Sequence, residues 1–156
     1  MGPQNYKNTV VFGTESTDVL LKGAEIVYKA VSSTLGPKSR LVAVQHPYGN
    51  PTTIGDGVTV AKAIVQYGFD DSSLDTGAKL LAMSAVSTND TVGDGTTTTT
   101  ILAYEIAKGA NEAIKNGANA MILRRGIQKA VDDVCDYLDT LKKPVTDEHI
   151  KQVATI

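Results

Sequence analysis

Gly93-Asp94-Gly95-Thr96-Thr97-Thr98 is the stretch on which the fold turns. Two glycines flank a carboxylate, and the threonines continue through Thr100. Glycine lets the backbone turn sharply and lets a ligand approach it closely. The residues that follow predict a helix from Thr96 to Lys115, stopped by Asn116-Gly117. A helix that opens here aims free amides and its positive dipole end at the turn. That arrangement suits phosphate. The threonine hydroxyls add donors, and Asp94 offers a carboxylate of the kind Mg²⁺ takes beside phosphate oxygens and water. A plainer reading stays open: a glycine-flanked turn before a Thr-rich helix, with Asp94 only capping. No Gly-Lys-Ser/Thr triplet occurs, so the stretch is not a Walker motif.

Upstream, Leu74, Ala78, Leu81 and Ala85 share one face of a helix predicted over Leu74–Thr88. Tyr67–Ser73 before it is turn-like, with Asp70 and Asp71 as cap candidates. A second Gly-Asp-Gly, at 55–57, opens a short helix over Val58–Ile64. Leu41–Gln45 and Thr52–Ile54 read as the strands of a hairpin around the turn cluster His46–Pro51. Leu20, Ala24, Val27 and Val31 mark the first helix, Thr17–Ser33, with Ser16 or Thr17 capping it and Gly36-Pro37 ending it. Downstream, Asn119 caps a long helix over Ala120–Leu141, which stops before Pro144. Asp147 is expected to cap one more. Lys142–Thr146 is a hinge candidate. The expected fold class is mainly α: a helical bundle with one small β-hairpin.

The chain has 156 residues, 42% hydrophobic and 21% charged, which is a globular composition rather than a disordered one. A net charge of −2 advertises neither nucleic acid nor an anionic membrane as partner. No apolar run approaches the roughly 20 residues that span a bilayer. The single cysteine, Cys135, excludes an internal disulfide framework and fits a reducing compartment. No apolar signal segment is visible at the start of the chain. The expectation is one intracellular domain. There is no Trp and only 5% aromatic residues, so the core must come from small and aliphatic side chains.

Other candidates carry both a functional and a plain reading. Thr34-Leu35-Gly36-Pro37-Lys38 is a helix stop or a rigid backbone wall beside a nucleotide. The paired Gly-Asp-Gly turns are two unrelated turns, or two carboxylate-bearing turns that meet around one metal-phosphate group. His46 and His149 have no partner at metal-ligand spacing and read as surface residues. Cys135 reads as a semi-buried small hydrophobe. Asp132, Asp133 and Asp136 read as a solvated helix face, as do Arg124 and Arg125. Tyr6–Phe12 reads as an exposed, β-prone arm.

In this order and near this spacing, Thr34–Lys38, Asp56-Gly57-Val58-Thr59-Val60-Ala61 and Gly93–Thr98 resemble the chaperonins, the ring-forming ATP-dependent folding machines. Leu123–Val131 looks like that family's next block, and Lys151–Ile156 like the start of a further one. The resemblance covers almost the whole chain and is closer to the bacterial and organellar group of 60 kDa chaperonins. It implies the N-terminal half of an equatorial ATP-binding domain over residues 1–141 and the start of an intermediate-domain segment over 142–156. It also implies roles. Thr34, Leu35, Gly36 and Pro37 would line the nucleotide pocket. Asp94 would bind Mg²⁺, while Gly95, Thr96, Thr97 and Thr98 hold phosphates. Asp56 would lie near the γ-phosphate and assist hydrolysis, with K⁺ close by.

Two departures stand out. Gly55 occupies a position that is commonly Lys in the bacterial group, so only its backbone carbonyl is left to face a cation. The stretch Gln66–Thr76 is a few residues longer than the usual pattern. A complete subunit of that family is several times longer than this chain, and its principal water-activating aspartate falls in the second equatorial half. No residue here matches that aspartate or the substrate-gripping apical domain. The resemblance implies a cytoplasmic or organelle-matrix homo-oligomeric ring that takes unfolded proteins through its apical domain, with a lid co-chaperonin as a further partner. It implies neither nucleic acid nor membrane. Two alternatives remain: a chaperonin-like interaction or structural module without ATPase activity, and an unrelated phosphate-binding enzyme relying on Asp56.

Overall fold

The computed structural model describes residues 10, 12–45 and 49–155. Among them the chain runs α1 (Thr14–Ser32), β1 (Val42–Val44), β2 (Thr52–Ile54), α2 (Gly57–Tyr67), α3 (Ser72–Thr91), α4 (Thr96–Lys115), α5 (Ala120–Leu141) and α6 (Asp147–Val153). It is mainly helical with one two-stranded sheet, as expected. The strands pair antiparallel, Val42 opposite Ile54 and Val44 opposite Thr52. The turn residues His46, Pro47 and Tyr48 lie outside the described residues, as does most of the Tyr6–Phe12 arm. The chain divides into two compact units, one through Asn116 and one from Gly117.

In the first unit α1 packs on α3 and α4, and α2 packs on α3 and α1. The core is Val27 and Val31 of α1, Val58, Val60 and Ala61 of α2, Ala78, Leu81, Ala82 and Ala85 of α3, and Tyr104 of α4. Such small side chains fill a core only when backbones approach closely. Gly23 and Gly77 allow this reciprocally. A Cβ on Gly23 would overlap the carbonyl oxygen of Leu74, and a Cβ on Gly77 would overlap that of Leu20. Close backbone approach thus takes the place of aromatic bulk.

α1 and α4 run antiparallel. Near the start of α1, Asp18 accepts from Asn111 Nδ2 at 2.9 Å and Lys115 Nζ at 2.7 Å, both in the last part of α4. Midway, the Tyr28 and Tyr104 rings stack with centroids 4.3 Å apart. Hydrogen bonding to the Glu105 carboxylate raises the Tyr28 pKa, and burial raises that of Tyr104. The end of α1 is therefore carried toward the start of α4, which is what positions the site.

Several expected boundaries move. α1 starts at Thr14 behind Gly13, with no side-chain cap, rather than behind Ser16 or Thr17. Its first turn is polar, so apolar spacing gave no sign of it. α2 extends to Tyr67 and α3 runs from Ser72 to Thr91, capped by Asp71 at 2.8 Å to the Ser73 amide. Asp147 does not cap α6. Thr146 holds that position, and its hydroxyl lies 2.8 Å from His149 Nδ1.

In the second unit Asn119 caps α5 as expected, accepting from the Met121 and Ile122 amides. Neither α5 nor α6 has a buried residue. Cys135 is accordingly exposed, not semi-buried. Asp132 and Asp133 form the expected solvated face, accepting from Gln128 and Lys129 one turn earlier. Among the described residues no helix is long and apolar enough to cross a membrane.

Candidate functional site

Gly95 is the N-cap residue of α4 and adopts the left-handed conformation, with φ 77° and ψ 13°. A side chain there is strained, so a glycine is needed for the chain to enter the helix from this turn. No side chain caps the helix. Asp94, exposed beside it, accepts among the described residues only from the adjacent Gly95 amide, at 2.6 Å to Oδ1. It therefore does not perform the capping role of the plain reading. The first amides of α4 keep their hydrogen-bonding capacity, and the positive end of the helix dipole is not neutralised by a cap. Thr96 is buried, Thr97 half-buried and Thr98 exposed. Thr100 is fully buried and turned inward, its hydroxyl donating to the Thr96 carbonyl at 2.8 Å.

The second Gly-Asp-Gly turn behaves differently. Asp56 caps α2, its Oδ2 accepting from the Thr59 amide at 3.0 Å and the Thr59 hydroxyl at 2.6 Å. This leaves Oδ1 without a hydrogen bond among the described residues. Gly57, the first residue of α2, is buried. A Cβ on it would overlap Thr97 Oγ1 and would sit 3.2 Å from Thr97 Cβ and 3.3 Å from Val31 Cγ1. The turn carrying Asp56 thus lies against the start of α4. The start of α2 therefore meets the first turn of α4, and the last turn of α1 meets the start of α2.

Thr34-Leu35-Gly36-Pro37 continues from that last turn. The Thr34 amide and hydroxyl both donate to the Val31 carbonyl, at 3.0 and 2.7 Å. The Arg40 amide donates to Ser33 at 2.8 Å and the Ser39 amide to Gly36 at 3.0 Å, which folds the segment back on itself. Leu35, Gly36 and Pro37 are exposed. They follow Val31 as an exposed turn and make no hydrogen bond to Asp94 or Asp56 among the described residues. Gly55 faces the hairpin instead, where a Cβ would come within 3.0 Å of Leu41 Cδ2.

Sequence reasoning missed Gly57 and Val31, which join the three segments. Their signal was present: Gly57 closes the second Gly-Asp-Gly, and Val31 ends the apolar face of α1. Neither residue carries a reactive group, so a search for chemistry passes over them.

Chemically, the arrangement offers uncapped amides and hydroxyls for an anion, with two carboxylates for a hydrated hard cation beside it. Among the described residues no three His, Cys, Asp or Glu side chains gather, so no all-protein metal cage is present. A cation held by one carboxylate and its ligand's own oxygens fits this donor set, as Mg²⁺ does with phosphates.

The model of the TCP-1/cpn60 chaperonin family matches residues 27–156. Heat shock protein 60 of Emericella nidulans is 49% identical over 146 residues, 93% of this chain and 24% of that protein. Heat shock protein 60A of Drosophila melanogaster is 45% identical over 154 residues, covering 98% and 26%. Mitochondrial heat shock protein 60 of Saccharomyces cerevisiae is 47% identical, covering 93% and 25%. The chain spans about a quarter of the length of these relatives. Among solved structures, the chaperonin gp146 from the bacteriophage EL, crystallised in the presence of ATP-BeFx, aligns at a TM-score of 0.72 with 29% identity. That alignment covers 86% of this chain and 23% of gp146.

Proposed function

Because this chain belongs to the TCP-1/cpn60 chaperonin family, we propose that it is the ATP-binding part of a ring-forming chaperonin, assisting protein folding through ATP binding and hydrolysis. One observation carries the reading: the Asp56 turn lies against the uncapped start of α4, through Gly57 and Thr97. Two helix starts then face one place, and prearranged dipoles of this kind stabilise phosphate charge.

Gly95, Thr96, Thr97 and Thr98 hold the phosphates. Asp94, whose carboxylate keeps acceptor capacity beyond the Gly95 amide, would hold Mg²⁺. The metal, when bound, neutralises phosphate charge. Thr34, Leu35, Gly36 and Pro37 line the rest of the nucleotide. Asp56, fixed through Oδ2 by Thr59, has Oδ1 available and would assist hydrolysis. The Gly55 carbonyl would help hold K⁺. The crystallisation of gp146 in the presence of ATP-BeFx supports a nucleotide as the ligand. By the family resemblance, residues 1–141 are the first part of an equatorial domain and 142–156 lead into an intermediate segment. The full protein forms a homo-oligomeric ring, takes unfolded proteins through an apical domain and works with a lid partner, in the cytoplasm or an organelle matrix. Relatives named as mitochondrial favour the organelle.

Calorimetric titration of the chain with ATP tests this. Saturable binding that needs Mg²⁺ and falls at least tenfold in Asp94→Ala is expected. Equal binding by wild type and Asp94→Ala would remove Asp94 from the metal site. A second reading, a module acting through contacts alone, is favoured by α5 and α6, which have no buried residue. It predicts no nucleotide binding at all.

A further inference from the structure

We infer that Gly57 is a positioning residue for the nucleotide site: its missing side chain sets how closely the Asp56 carboxylate approaches the start of α4. The inference rests on the nucleotide-binding reading and adds to it a residue that acts through the spacing of two helices.

Gly57 is buried and is the first residue of α2, directly after Asp56. On one side it faces Thr97 and on the other Val31. Its Cβ position overlaps Thr97 Oγ1 and lies 3.2 Å from Thr97 Cβ and 3.3 Å from Val31 Cγ1. Both neighbours are β-branched, and Val31 is fully buried in the core, so it has little room to give. Thr97 sits in the first turn of α4, so its hydroxyl can rotate, but its Cβ stays 3.2 Å from the added methyl while Val31 Cγ1 stays 3.3 Å away on a buried side chain. An added methyl therefore presses α2 away from α4. Asp56 would move with α2, because its carboxylate is tied to Thr59 at 2.6 and 3.0 Å. Asp56 and the α4 amides would then no longer address one phosphate group in the same geometry. Misplacement on the scale of an ångström is enough to cost a large factor at such a site.

Gly57 differs from the turn glycines in mechanism. Its Cβ would meet neighbours, whereas a Cβ on Gly93 or Gly95 would meet nothing within 4 Å. Those two serve the path of the chain, while Gly57 serves the spacing between two helices.

The test compares Mg-ATP affinity in wild type, Gly57→Ala, Thr97→Ala, Thr97→Val and Gly57→Ala with Thr97→Ala, with helical circular dichroism on each. Gly109→Ala, on an open face of α4, is the control and should bind as wild type does. Gly57→Ala should lose at least tenfold in affinity while keeping its helical signal. Thr97→Ala should cost at least threefold less in the Gly57→Ala background than in wild type, because there it also removes the overlapping hydroxyl; a merely additive double variant would overturn the inference. Thr97→Val and Thr97→Ala both lack the hydroxyl, but only Val crowds Gly57. Val should therefore bind at least threefold more weakly than Ala, a comparison that stands even where Gly57→Ala fails to fold; equal affinities would overturn the inference. Wild-type affinity in Gly57→Ala would also overturn it while leaving the nucleotide reading intact. If wild type binds no Mg-ATP, the nucleotide reading fails and this inference falls with it.

Discussion

Gly23 and Gly77 show how single residues hold the first unit together. Each presents a bare Cα to a carbonyl of the opposite helix, Leu74 for Gly23 and Leu20 for Gly77. Neither carbonyl can swing aside without moving its helix. Gly23→Ala should therefore cost about 1–3 kcal/mol or more, as overpacking does. Thermal unfolding followed by circular dichroism should show a midpoint several degrees lower, and an unchanged midpoint would refute the close contact. Asp18 gives a second prediction. Hydrogen bonds from Lys115 first and Asn111 next hold its carboxyl below the ordinary 3.8. An acid whose folded pKa is depressed adds stability above its unfolded pKa and loses it as pH falls through the folded value. Asp18→Asn should lower the midpoint slightly at neutral pH, slightly because the pair is exposed and screened. The difference from wild type should close below about pH 4. A difference that persists to pH 2 would contradict the assigned cause.

At the scale of elements, the helices were legible wherever apolar spacing or a polar cap marked them. Ala78, Leu81 and Ala85 are buried on α3 as their spacing predicts, and Asn119 caps α5. Ends were legible only where chemistry changes. The first turn of α1 is polar and uncapped by any side chain, so it escaped notice. The reach of α2 to Tyr67 is stopped by Gly68, which stands inside what reads as a loop. The candidate site was legible residue by residue at Asp56, Asp94 and the threonines. The contact of the start of α2 with the first turn of α4 stood in the sequence only as one of two readings of the paired turns, because it depends on an antiparallel pairing of α1 with α4 that no local pattern encodes. Gly109 tests the element scale directly. It lies within α4 with open space around its Cβ position. Gly109→Ala should stabilise by about 0.5–1 kcal/mol through helix propensity alone. A fall in the melting midpoint would show that something packs there.

On the scale of the whole molecule, composition describes a globular chain, yet much of its apolar surface is uncovered. On α5, Val131, Val134, Leu138 and Leu141 recur at three- and four-residue spacing and are all exposed, by 45% to 56%. Such a stripe wants a partner surface. The chain alone should self-associate, and Val134→Lys with Leu138→Lys should lower its sedimentation mass without reducing helical signal. A dilute wild-type monomer with a sharp cooperative melt would contradict this. The match to about a quarter of each relative's length accords with apolar faces that more chain would cover. The low aromatic content has a physical basis in glycine and alanine contacts between helices.

The central claim is that the Gly93–Thr98 turn and the Asp56–Gly57 turn form one phosphate site. Hydrogen–deuterium exchange with and without Mg-ATP tests it most directly. The account predicts that peptides covering the start of α4 and the start of α2 gain protection together, with one apparent affinity. Protection at only one of them, or at neither while nucleotide is bound, would contradict it.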